Sequence, residues 1–132
     1  MKAINTSGKR KRAIARVSLK EGTGRVRVNN FDLHHFQPKL YKLKIEEPLL
    51  LAGDVVSKVD IDVNVIGGGM SSQADASRLA IAKALVQYTK GEKLRELFLQ
   101  YDRTMLVADV RRKEVCKPND SKARAKRQKS YR

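Results

Sequence analysis

The chain has 132 residues, with 29 Lys and Arg against 14 Asp and Glu, for a net charge of +15. That length suits one domain rather than two, and 41% hydrophobic residues are enough to bury a core beneath a cationic surface. No strictly apolar run exceeds four residues, as in Leu49–Ala52, against the roughly 20 that a bilayer crossing needs, and the basic opening lacks the apolar stretch of a secretory signal, so no membrane partner and a cytoplasmic location are expected.

In chain order, the opening twenty residues carry Lys2, Lys9, Arg10, Lys11, Arg12, Arg16 and Lys20 and no acid. Ala13, Ala15, Val17 and Leu19 then alternate with polar residues apart from Ile14, which predicts a half-buried strand. Gly22-Thr23-Gly24 supplies a turn and Arg25-Val26-Arg27-Val28 alternates again, so the two segments are expected to pair as an antiparallel hairpin. Asn30 is placed to cap a short helical turn through Phe36. Pro38 suits the first position of a helix bearing Leu40, Tyr41, Leu43 and Ile45, which Pro48 should kink or interrupt.

The clearest strand runs from Ser57, with Val59, Ile61, Val63 and Val65 on one face and Lys58, Asp60, Asp62 and Asn64 on the other. Gly67-Gly68-Gly69 follows. A long helix should start at Ser71 or Ser72, where Ser72 and Asp75 have capping-box spacing, and end at Gly91. A second amphipathic helix places Leu94, Leu97, Phe98 and Tyr101 on one side, and Met105–Ala108 is long enough for a last strand. The order predicts an α+β, two-layer domain over residues 1–110, a four-stranded sheet with helices on one face.

Residues 111–132 are different in kind, with ten Lys or Arg against Glu114 and Asp120, while residues 21–110 balance. A neutral middle between two cationic ends is the layout of a protein that grips a polyanion with its termini. The tail is too charged for a core; its cations suit successive phosphates, and Tyr131 suits stacking on an unpaired base. Solvated tails, or a polybasic membrane anchor, are the bland alternatives.

Other motifs are weaker. Asp60-x-Asp62-x-Asn64 opens like a calcium loop but has Val65 where Gly belongs and Ser71 where a bidentate Glu belongs. His34 and His35 are sequence neighbours that point to different faces, and Cys116 has no second Cys for a disulfide or a zinc site. No metal or cofactor is expected. The triple glycine between a strand and a helix start is either a tight structural turn or a phosphate contact with an RNA backbone; it lacks the Lys-Ser/Thr of a Walker loop.

Four separated segments carry a resemblance over essentially the whole chain: Gly8-Lys-Arg-Lys-Arg-Ala-Ile-Ala-Arg-Val17 leading to Gly24-Arg-Val-Arg-Val-Asn29; Gly67-Gly-Gly-Met-Ser-Ser-Gln-Ala-Asp-Ala76 running to Leu85; Asp102-Arg-Thr-Met-Leu-Val-Ala-Asp-Val-Arg-Arg-Lys-Glu114; and the terminal Gln128-Lys-Ser-Tyr-Arg132. Together they resemble the universal ribosomal protein nine family of the small subunit, and the Lys-Ser-Tyr-Arg ending is similar to its archaeal branch. The resemblance implies a non-enzymatic constituent of the small-subunit head, with the fold of the second domain of small-subunit protein five and a left-handed βαβ crossover.

With RNA as the polyanion, the charge layout and the glycine turn lead to expected ribosomal RNA contacts at Lys9, Arg10, Lys11, Arg12, Arg16, Gly67, Gly68, Gly69, Arg111, Arg112, Lys113, Lys122 and Lys126, and the resemblance implies that the stretch from Arg124 to Arg127 lines the RNA channel. Peptidyl-site tRNA, at its anticodon stem-loop, would be met by Lys129, Ser130, Tyr131 and Arg132, and head proteins would be neighbours. Where relatives carry a glycine-rich stretch, this chain reads Glu114-Val-Cys-Lys-Pro-Asn-Asp-Ser121. An enzyme on the same superfold, a small-molecule kinase using the glycine turn, is the alternative.

Overall fold

The predicted alternation at Ala13, Ala15, Val17 and Leu19 is realised as strand β2 (Ala13–Glu21), with those four side chains buried and Arg16 and Lys20 exposed, in a computed structural model that describes residues 3–126 and 129–131. Strand β5 (Val59–Ile66) repeats the pattern, burying Val59, Ile61, Val63 and Val65. The two run antiparallel, Ile14 opposite Ile66 and Glu21 opposite Val59.

Residues 4–10, expected as a basic lead-in, form an edge strand, β1 (Ile4–Arg10), which pairs antiparallel with β2 from Ile4–Leu19 to Arg10–Ala13. Its inward positions are Ile4, Thr6 and Gly8, so it carries little apolar signal. Gly8 is required by proximity: a Cβ there would strike the backbone of Ala76 and Ala80. Beside it, Thr6 Oγ1 donates to the Ala80 carbonyl at 2.8 Å.

The expected hairpin of residues 13–19 with 25–28 does not form. Strand β3 (Val26–Val28) lies beyond β5 and parallel to it, and the two-residue strand β4 (Phe31–Asp32) completes the order β1-β2-β5-β3-β4. Asp60 explains the rearrangement, because its Oδ1 accepts from the backbone N–H groups of Thr23 and Arg25 at 2.8 and 3.0 Å. The Gly22 N–H reaches the Lys58 carbonyl at 2.9 Å, so the loop is drawn over the start of β5 instead of back along β2. Those backbone donors hold the Asp60 carboxyl below the usual aspartate range. Between β3 and β4, Asn29 and Asn30 both take positive φ (48° and 69°), as a two-residue primed turn requires.

Helix α1 (Lys39–Ala52) connects the parallel pair β3 and β5. Pro38 is its N-cap, not its first helical residue, and Pro48 does not end it: the proline ring is buried in the core and the helix continues to Ala52. A short helical turn precedes it, Leu33–His35, capped by Asp32, whose Oδ1 accepts from the His34 N–H at 2.9 Å, rather than by Asn30.

Helix α2 (Met70–Thr89) is the central element, packed on the β1–β2 half of the sheet and against α1, with Ala76, Ala80, Ala82 and Ala84 letting the layers approach closely. The expected Ser72–Asp75 capping pair is replaced one turn earlier: the Gly69 N–H donates to Ser72 Oγ at 3.0 Å and that hydroxyl donates to the Gly69 carbonyl at 2.8 Å. Lys90, with φ 49°, takes the left-handed closing position expected of Gly91, which instead precedes α3 (Glu92–Tyr101). Of the predicted α3 stripe, Phe98 is fully buried and Leu94 half-buried, whereas Leu97 and Tyr101 are 41% and 58% exposed.

No strand forms at 105–108. Asp102 caps a turn over Arg103–Met105, accepting from the Thr104 N–H at 2.8 Å, and drives Met105 fully into the core. The result is the expected α+β two-layer architecture, with five strands because β1 and β4 extend the sheet where the last strand was anticipated.

Candidate nucleic-acid interface

Three segments far apart in the chain meet at one end of the sheet: the β1–β2 turn, the glycine turn leading into α2, and the root of the C-terminal tail. They line a cleft of about 990 Å³ that includes Arg10, Lys11, Arg12, Gly69, Arg111 and Lys113. The strands bring this about directly, since Lys11 at the hairpin tip takes φ 52° and the end of β5 delivers Gly67 beside Arg12. At Gly67 (φ 76°) a Cβ would lie 2.6 Å from the Arg12 carbonyl oxygen, and at Gly68 (φ 66°) 3.0 Å from the Ala13 nitrogen. These two glycines therefore have a structural duty, closing the turn against β2. Gly69 has open space around it and stands at the positive N-terminal end of α2, where that end borders the cleft.

The cations of the cleft divide into two groups. Arg10 is not free: its Nη1 lies 2.8 Å from Asp109 Oδ2 and its Nε 3.8 Å from Asp75 Oδ2. The Nη1 contact is one of charge without hydrogen-bond alignment. Asp109 also accepts from Arg111 Nη2 at 2.7 Å and from the Arg111 backbone N–H at 2.8 Å. The Arg111 side chain and N–H, with Arg10 adding its charge, hold the Asp109 carboxyl far below the usual aspartate range although burial opposes them. Arg112 Nη1 donates to the Lys11 carbonyl. The tail is thus stapled at its root to the hairpin.

Lys9, Lys11, Arg12 and Lys113 are exposed, and none has a charged partner among the described residues. Arg16 is exposed too, but on the sheet face away from the helices. Beyond the root no helix or strand occurs among the described residues of the tail. Lys122, Lys126, Lys129, Ser130 and Tyr131 are exposed, Tyr131 at 89%, and Arg124 is tied to Glu114 at 3.0 Å. Arg127 and Arg132 lie outside the described residues.

Asp109 and Asp75 are the site residues that sequence reasoning missed. A lone acid just before Arg111-Arg112-Lys113 was the one available sign, and its partner Arg10 is a hundred positions away. His34 and His35 are exposed on a short turn, Cys116 is exposed, and Asp62 is paired with Arg27 at 2.8 Å. No group of His, Cys, Asp and Glu among the described residues is arranged to hold a metal ion.

Fold and cleft together define a class: a small, basic α+β domain that presents cations around a helix N-terminus and a tail root. The chain belongs to the ribosomal protein S9/S16 family, whose model matches residues 8–132. It is 52% identical, over the full length of both chains, to the small ribosomal subunit protein uS9 of Methanococcus maripaludis strain C7. The protein of the same name from Methanococcus vannielii is 49% identical, again over both full lengths. These relatives agree with the archaeal character of the terminal motif. Family members are structural components of the ribosome and not enzymes, and the kinase alternative is set aside; the glycine turn it relied on is closed by the Arg12 carbonyl at Gly67.

Proposed function

We propose that this protein, a structural constituent of the small ribosomal subunit, grips ribosomal RNA of the subunit head with the cations of its cleft and carries its tail to the tRNA in the peptidyl site. The folded body over 1–110 positions the tail over 111–132. One observation carries the reading: uncommitted cations from the hairpin tip and the tail root converge on the N-terminal end of α2, an arrangement suited to phosphate. Lys9, Lys11, Arg12, Lys113, Lys122 and Lys126 neutralise phosphates. Arg10 and Arg111 serve chiefly as ties through Asp109, so their part in RNA binding is to aim the tail. Lys129, Ser130 and Tyr131, with Arg132, meet the anticodon stem-loop, and head proteins neighbour the body.

The test is a small subunit assembled with protein lacking Lys129 to Arg132. Subunits should still assemble while peptidyl-site tRNA dissociates faster; unchanged tRNA retention would overturn the tail assignment, and failure to incorporate protein carrying Glu at positions 11, 12 and 113 would support the cleft.

A further inference from the structure

Among the described residues no helix or strand covers the sheet face opposite the helices. Asp60 is spent on the Thr23 and Arg25 N–H groups, Asp62 on Arg27, and Asp32, opposite Arg27, on the His34 N–H, so the three acids there already have partners. Ser18 Oγ donates to Asn5 Oδ1 at 2.9 Å. Arg16, in contrast, is exposed with no partner among the described residues, and so are the carboxamides of Asn64, directly opposite it, and Asn30. Ile14 faces Ile66 across the β2–β5 ladder, and Ile66 is 52% exposed. Arg16, Asn30, Asn64 and Ile66 border one groove of about 520 Å³, within the roughly 300–1,000 Å³ typical of small-ligand sites.

One uncommitted guanidinium, two free carboxamides and a branched apolar platform make a particular recognition set. A guanidinium takes a phosphate, a carboxamide offers the paired donor and acceptor that a base edge presents once it is unstacked, and an isoleucine side chain accepts the flat face of a base or a ribose. An RNA duplex could use only the first of these, because its Watson–Crick edges are paired and its deep, narrow major groove keeps side chains from the edges that remain. Arg16 and Arg27 against Asp62 leave the groove itself one charge positive, which suits an anionic occupant; a carboxylate chain could use that charge and the carboxamide N–H groups but would leave Ile66 idle.

We infer that this open sheet face binds an unpaired RNA nucleotide, with its phosphate on Arg16 and its base over Ile66 between Asn64 and Asn30. The inference rests on the reading of the chain as an RNA binder and adds a second contact surface to it. Ile66 immediately precedes Gly67, so a single strand leaving the cleft reaches the face by rounding the end of β5.

The test titrates the isotope-labelled full-length chain with single-stranded octauridylate, following backbone amide signals by NMR. Shifts at Arg16, Asn64 and Ile66 are expected, and Arg16→Ala should weaken binding read at those signals about tenfold while leaving the thermal midpoint unchanged. Asn64→Ala, which keeps the charge, should also weaken it. Shifts confined to Arg10–Arg12 and Arg111–Lys126 would overturn this inference and leave the cleft reading intact; no shift anywhere would sink both. Equal shifts on the face with octaglutamate or inorganic phosphate would show an anion site without nucleotide recognition and would also overturn it.

Discussion

Asn29 commits its whole carboxamide to the backbone of one residue: Nδ2 donates to the Val65 carbonyl at 3.2 Å and Oδ1 accepts from the Val65 N–H at 2.8 Å. The side chain thereby stands in for a strand residue and continues the β3–β5 ladder past the Val28–Val63 pair. Asn29→Ala should cost about 1–3 kcal/mol, measured by urea unfolding, because it strands a partly buried donor and acceptor together. Asp102 works at the same scale. Burial opposes its ionisation, but hydrogen bonds from Thr104 and Arg78 outweigh it and hold the carboxyl below the usual aspartate range. A depressed carboxyl stabilises the fold fully above its unfolded value, and the contribution is lost as pH falls below that value through the folded one. Thermal midpoints should therefore drop below about pH 4, and Asp102→Asn should flatten that decline while lowering the midpoint at pH 7; an unchanged acid slope would remove Asp102 from the account.

Elements behaved according to how local their determinants are. Strands β2 and β5 and helix α2 were legible because each buries a periodic apolar face of its own. Strand β1 was not: its inward face is Ile4, Thr6 and Gly8, a pattern whose sense lies in the alanines of α2 above it. The partner of β3 was equally hidden, because the choice between β2 and β5 is made by Asp60 over a separation of more than thirty residues. For the interface, the glycine turn and the basic tail could be read from residue type, but their convergence depends on β5 ending beside the β1–β2 turn. Helix α3 is attached chiefly through Phe98, the one fully buried side chain on it. Phe98→Ala should cost about 3–5 kcal/mol by denaturant unfolding, and hydrogen exchange should show α3 opening before α2.

Across the described residues, the excess charge of the N-terminal segment is held on a folded hairpin, whereas that of the C-terminal segment is carried by chain without helix or strand. The two should differ in what they do to RNA affinity. If about eight phosphates are neutralised, the log–log salt slope is roughly −6 to −7. Removing residues 117–132 should make it shallower, whereas Asp109→Asn should leave it nearly unchanged and reduce placement of the tail tip; filter binding across a salt series, with cross-linking from position 131, separates the two effects.

Asp109 gives the tail the mechanics of a beam built into a wall. One carboxylate, 15% exposed, holds both Arg10 at the strand end and Arg111 at the first step outward. Held straight along RNA, residues 111–132 would reach roughly 75 Å, and a swing of about 5° at the wall would then move the far tip by roughly 6 Å, further than a hydrogen bond can stretch. The aim of the tip is therefore inherited from the hairpin, and a register slip between β1 and β2 would misdirect residues it never touches.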